Sequence, residues 1–223
     1  MKESTRQMRR GGTARERHFA VGALLTGALL WGVIWYPYRI LRDGGFDGVA
    51  ASTITYAIAF MLGLLVFRRS PDSCSPSWSL LWLALTAAVC NLGYVLANLD
   101  GQVVRVLLLF YLAPLWTVVL SRLLLDEQLT RAGASVIALS LAGAATMLWP
   151  PQGGLPAPQD LADWLALIAG FSFALFNVLS RRAHELSIET KAMAAFAGVV
   201  VTGALLLLAG FGSLRVPATP SLW

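Results

Sequence analysis

The sequence predicts an all-α fold, a polytopic bundle of membrane-spanning helices, and three observations predict it. The first is composition. Of 223 residues, 57% are hydrophobic and only 13% charged, where a soluble domain carries about 25% charged residues. The second is patterning. Long apolar stretches follow one another, several reaching the roughly 20 residues that cross about 30 Å of hydrocarbon, and charged residues gather in the short segments between them. The third is a charge asymmetry between the alternate connections, set out below.

Residues 1–18 form a basic, polar tail. Seven predicted spans follow, at about 19–41, 49–67, 78–99, 103–125, 132–148, 161–180 and 192–211. The first is expected to be a retained span rather than a cleaved leader: the apolar run continues through Trp31-Gly32-Val33-Ile34-Trp35 with no small-residue cleavage site. Turn residues mark the connections, as in Asp43-Gly44-Gly45, Asp100-Gly101 and Pro150-Pro151-Gln152-Gly153-Gly154. Connections this short predict that sequential helices are antiparallel neighbours.

Alternation assigns Lys2, Arg6, Arg9, Arg10, Arg15, Arg17, Arg68, Arg69, Arg122, Arg131, Arg181, Arg182 and Lys191 to one side. Only Arg39, Arg42, Arg105 and Arg215 fall on the other. Cytoplasmic ends carry the excess of Lys and Arg, so the N-terminus is expected inside, in a bacterial inner membrane. The same bias accounts for the net charge of +5 and leaves no reason to invoke nucleic acid. Cys74 and Cys90 form no CxxC pair, and His18 and His184 stand alone; neither a metal, a redox centre nor another cofactor is signalled.

The first and sixth spans show weak internal similarity, Leu29–Trp35 against Phe171–Asn177, and both end in arginine, at Arg39 and at Arg181-Arg182. The first span starts on the inner side and the sixth on the outer, which is the relation of an inverted repeat with a five-span period. Residues 19–148 then form one five-helix unit, and 161–223 begin its inverted partner. Ser221-Leu222-Trp223 reads as the opening of another span cut short. The expectation is seven visible spans of ten, in a chain truncated at its C-terminus.

Three patterns together carry a family resemblance: Gly27-Ala28-Leu29-Leu30-Trp31-Gly32; the run Leu108–Thr117 with Pro114 at mid-span, continued by Ser121–Thr130 with Glu127 before the fifth span; and Leu179-Ser180-Arg181-Arg182. With these the chain resembles the EamA-type members of the drug/metabolite transporter superfamily, over roughly residues 19–211. Asp126 stands where that family's pattern has glycine. The resemblance implies ten spans in two inverted five-helix repeats. It also implies transport of small polar metabolites such as amino acids by alternating access, and no enzymatic reaction. A lipid bilayer, a small solute and a second copy of the chain are the partners it suggests.

Polar groups inside a bilayer are functional candidates by default. In Trp35-Tyr36-Pro37-Tyr38-Arg39, Pro37 cannot donate its N–H to Val33 and is a candidate hinge. Trp35, Tyr38 and Arg39 either line a site, with Arg39 gripping a carboxylate, or form an interfacial belt in which Arg39 and Arg42 snorkel. Asn91, Tyr94 and Asn98 share one face of the third span and either meet a polar solute or bond between helices. Tyr111 lies beside the second candidate hinge, Pro114. Asn177, matching Trp35 in the repeat, is a further binding candidate or interhelical glue. Arg105 is expected to pair with Asp100 or to cap that turn, and Glu127 to stabilise the turn it occupies. No carboxylate stands out in the span centres. The small residues Gly133, Ala134, Ala138, Ala142 and Ala145 of the fifth span, with Gly198, Thr202 and Gly203 of the seventh, predict close-packed scaffold helices.

A seven-helix receptor has the same span number but places its N-terminus outside, against the charge count, and the seventh span has no mid-membrane lysine for a retinal Schiff base. A membrane enzyme would need clustered His, Asp or Ser near the interface, and the sequence offers none.

Overall fold

Carboxylates and hydroxyls start the helices. Asp47 accepts from the N–H groups of Val49 and Ala50 at 2.9 and 3.1 Å, Asp160 from Asp163 at 2.8 Å, and Ser187 from Thr190 at 3.2 Å. Each satisfies backbone donors that a helix leaves open at its first turn. At the opposite kind of boundary Asp126 adopts φ 56, the left-handed conformation that favours glycine and tolerates Asp. The glycine-to-aspartate departure noted above therefore falls at a helix stop.

The computed structural model describes residues 14–67, 78–127, 131–149 and 158–212. The sequence expectations for 1–13, Arg68, Arg69, Cys74, 150–157 and 213–223 lie outside the described residues. Among those described there are nine helices and no strand: α1 (Ala14–Val33), α2 (Trp35–Asp43), α3 (Gly48–Val66), α4 (Trp78–Asp100), α5 (Val103–Phe110), α6 (Ala113–Leu125), α7 (Arg131–Leu148), α8 (Leu161–Arg182) and α9 (Ile188–Leu208). Six of the seven predicted spans are long and apolar enough to cross a membrane. The fifth, α7, has 18 residues, of which a shorter stretch, Gly133–Gly143, is the apolar part. The chain is an all-helical, multi-pass integral membrane protein.

The chain divides into two units at Pro37–Tyr38. In the first, α1 ends at Val33, a turn at Ile34 follows, and α2 opens with Trp35 and Tyr36 edge-on at 5.8 Å. Pro37 lies three residues after that turn.

In the second unit α4 is central. It lies between α8 and α9; α9 also packs on α3, while α5 and α6 pack on α8. Small residues make these approaches possible. Gly93 faces Ala169 of α8, where a Cβ would come within 3.5 Å of the alanine's own. Gly198 of α9 closes on the Ala84 backbone of α4, and Gly203 on Thr53 of α3. The seventh span thus uses its small residues as expected. The fifth does not: Ala134, Ala138 and Ala142 are exposed, and a Cβ on Gly143 would meet nothing within 4 Å. Chain order also fails to set every neighbour. Helices α8 and α9 are joined by a short connection, yet both lie mainly against α4, whose small-residue faces admit a helix on either side.

Alternation leaves two polar ends. Arg39, Arg42, Asp47, Asp100, Arg105 and Asp163 gather at one. Trp78, Leu124, Glu127, Arg181, Glu185 and Lys191 gather at the other.

Candidate functional site

The fourth span breaks where its proline dictates. Pro114, the second residue of α6, has no N–H to give to the carbonyl of Phe110 and its ring crowds that carbonyl. Helix α5 stops at Phe110, Tyr111 and Leu112 form a turn, and α6 begins at Ala113. The turn tightens through Leu112 N–H to Leu109 O at 3.3 Å, and the chain resumes with Leu115 N–H to Leu112 O at 3.0 Å. Opposite it stands Gly170 of α8, where a Cβ would sit 2.8 Å from the Phe110 carbonyl oxygen. Only glycine allows backbone and break to touch this closely.

A cavity of about 560 Å³ opens beside the break, lined by Ala113, Pro114, Thr117 and Val118 of α6, Gly133 and Ile137 of α7, and Phe173 of α8. That volume lies within the range of small-molecule sites. Aromatic rings surround the break: Phe110 meets Tyr94 at 4.9 Å, Phe173 at 5.5 Å and Tyr111 at 6.1 Å. Of the predicted site residues, Tyr94 and Tyr111 are therefore brought together through Phe110. Tyr94 is 3% exposed and Tyr111 60%, so the second is the accessible one. Nearby, Trp116 stacks edge-on against Phe171 at 5.5 Å, and its indole N–H is buried without a hydrogen-bond partner among the described residues. Asn177 lies one turn beyond Phe173 and donates to the Phe173 carbonyl at 2.9 Å.

The two amides of the third span point elsewhere. Asn91 accepts from Ser52 Oγ at 2.6 Å and donates to Tyr56 Oη at 2.7 Å, joining α4 to α3. That is the interhelical role. Asn98 donates to the Tyr94 carbonyl at 2.9 Å, and its Oδ1 is buried without a partner among the described residues, as is the Tyr38 hydroxyl.

Arg39 donates to the carbonyls of Asn98, at 3.2 and 3.1 Å, and Gly101, at 2.9 Å. Arg42 reaches the Leu99 carbonyl and pairs with Asp100 at 2.8 Å. Cations at a helix C-terminus meet both open carbonyls and the negative end of the dipole. The two arginines thus close the end of α4.

Arg105 pairs with Asp163, not Asp100: its Nε lies 2.9 and 2.7 Å from the two carboxylate oxygens. The first turns of α5 and α8 face each other, whereas Asp100 is taken by Arg42. Asp163 also accepts from the Gln159 N–H at 2.8 Å and is 1% exposed. It is a buried carboxylate that the sequence reading passed over; the signal was an acid in the first turn of an apolar span. Ser52 and Tyr56, one turn apart, carry no sequence signal beyond a hydroxyl in an apolar span. Glu127 pairs with Arg181, tying the turn after α6 to the end of α8. Among the described residues no group of three or more His, Cys, Asp or Glu could hold a metal ion.

The EamA-like transporter family matches residues 18–149, more than half of the sequence. The chain belongs to the EamA-like transporter family. It is also similar to two bacterial proteins. One, named as an uncharacterized transporter YojE, of Bacillus subtilis (strain 168), is 25% identical over 69% of this chain and 52% of its own length. The other, protein RarD of Streptomyces exfoliatus, is 25% identical over 73% of this chain and 51% of its own length. The chain thus spans about half the length of the curated relatives it matches. No solved structure matches it.

Proposed function

We propose that this EamA-family chain carries the solute path of a permease or exporter of small polar metabolites such as amino acids. The observation that carries the reading is the broken fourth span beside the 560 Å³ cavity. Interrupted helices near the membrane midplane present backbone groups to a solute where an intact helix cannot. Phe173, Val118 and Ile137 suit an apolar side chain, and Thr117, whose hydroxyl donates to the Ala113 carbonyl at 2.9 Å, is the polar side chain among the described lining residues. Tyr111, Tyr94 and Asn177 flank this path. Trp35, Tyr38, Arg39 and Asn98 are the remaining candidates for contact with the solute, while Asn91, bonded to Ser52 and Tyr56, holds α4 to α3. Pro37 and Pro114 serve as hinges in alternating access between 19–148 and an inverted repeat that starts at 161. The charge count supports an N-terminus inside a bacterial inner membrane, which makes the Arg42–Asp100 end the outer one.

Full-length protein in proteoliposomes should exchange at least one labelled amino acid. Pro114→Ala, which lets the helix close, should lower that flux by roughly tenfold while leaving helix content unchanged, as a hinge change does. No flux across a broad panel by the unaltered protein would overturn the reading.

A further inference from the structure

At the end opposite Arg42 and Asp100 a second cavity of about 560 Å³ opens where α4 starts and α8 stops. Its floor is apolar, with Leu124 and Leu179. Its wall carries Trp78 and Trp82, edge-on at 6.2 Å. Among the described residues its lining carries one cation, Arg182, and one anion, Glu185. Trp78 is 72% exposed and Trp82 40%, so the pair faces outward at the end of a span, where indoles sit among lipid headgroups.

The cations around this rim are not equivalent. Arg181 is engaged by Glu127, and Lys191 caps α8 by donating to the Ser180 carbonyl at 2.8 Å. The Arg182 guanidinium has no hydrogen-bond or ion-pair partner among the described residues, and it borders the cavity. One oxygen of Glu185 meets His184 Nδ1 at 2.7 Å; the second oxygen remains.

The geometry points to a binding site for an aminophospholipid, one whose headgroup holds a phosphate and a primary ammonium. The phosphate would lie on Arg182, which offers a fork of donors, and the ammonium on the Glu185 carboxylate. The glycerol esters would meet the two indole N–H groups, and an acyl chain would run over Leu179 and Leu124. Glu185 makes the choice of lipid. Arg182 alone would favour any phosphate, but a carboxylate beside it repels a headgroup of net negative charge and rewards an ammonium. The occupant is thus a phosphatidylethanolamine-like lipid, not a phosphatidylglycerol-like one. This site is separate from the break at Tyr111 and Leu112, and the proposal does not depend on which solute crosses.

Native mass spectrometry on the purified full-length protein, titrated with phosphatidylethanolamine and phosphatidylglycerol of matched chains, tests this. The ethanolamine lipid should be retained about tenfold more tightly, a difference of about 1.4 kcal/mol. Glu185→Gln should erase that preference while binding persists, and Arg182→Gln should weaken both lipids. Equal retention by the unaltered protein, or an unchanged preference in Glu185→Gln, would overturn the proposal. Soluble glycerophosphoethanolamine should not displace the lipid; displacement would mean that the groove takes a free headgroup.

Discussion

Asp163→Ala should destabilise the protein by about 3–5 kcal/mol, the usual effect of removing one partner from a buried ion pair. Asp163 is 1% exposed, and its Arg105 partner keeps only 18% of its side chain exposed. The alanine would remove both contacts from Arg105 Nε and the bond from the Gln159 N–H. A guanidinium would remain between α5 and α8 with its countercharge gone. Loss of the cation and anion together is a different matter. Arg105→Met with Asp163→Leu should recover most of the loss, because the desolvation penalty disappears with both charges. Thermal melting in detergent reads both results. A single variant as stable as the unaltered protein would place the pair in water instead.

Gly198→Leu should separate α9 from α4. A Cβ at this position already meets the Ala84 backbone, which cannot give way as a flexible side chain could. Overpacking of this kind destabilises by about 1–3 kcal/mol or more. Gly143→Leu in α7 is the matched control: nothing lies within 4 Å of a Cβ there, so the change should stay within about 0.5 kcal/mol. The two variants add the same atoms to apolar helices, and a difference in melting temperature isolates the crossing. Equal melting temperatures would deny the close approach of α9 to α4.

Hydropathy made the spans legible, because a bilayer demands helices of about 20 apolar residues. Local chemistry made several boundaries legible too. Pro37 and Pro114 stand at or beside the breaks in the first and fourth spans, and the Asp100-Gly101 turn separates α4 from α5. The choice of neighbours was not legible. In a membrane, apolar residues face lipid and protein alike, so Leu83, fully buried, and Leu85, 44% exposed, read identically. Nothing in the sequence marks α4 as the centre. That follows from how closely Gly93 meets α8 and Gly198 meets the Ala84 backbone of α4, both distant in the chain. For Arg105 the sequence offers Asp100 or the cap of that turn, both close by in the chain, yet the partner comes from α8, 58 residues on. Asn91 was read two ways because an amide suits either role, and only the positions of Ser52 and Tyr56 decide that it joins two helices. The aromatic setting of the fourth-span break was half legible: Pro114 and Tyr111 signalled it, while Gly170 and Phe173 did not.

Thr117→Cys provides the most direct measurement, in full-length protein with Cys74 and Cys90 replaced and reconstituted into vesicles. A solute path along the broken fourth span should admit water to the cavity, so a membrane-impermeant thiol reagent should label residue 117, and the transported solute should slow that labelling. Val119→Cys, on the exposed apolar side of α6, should resist the same reagent. Labelling at 119 but not at 117, or labelling at 117 that no transported solute slows, would contradict a path through this cavity.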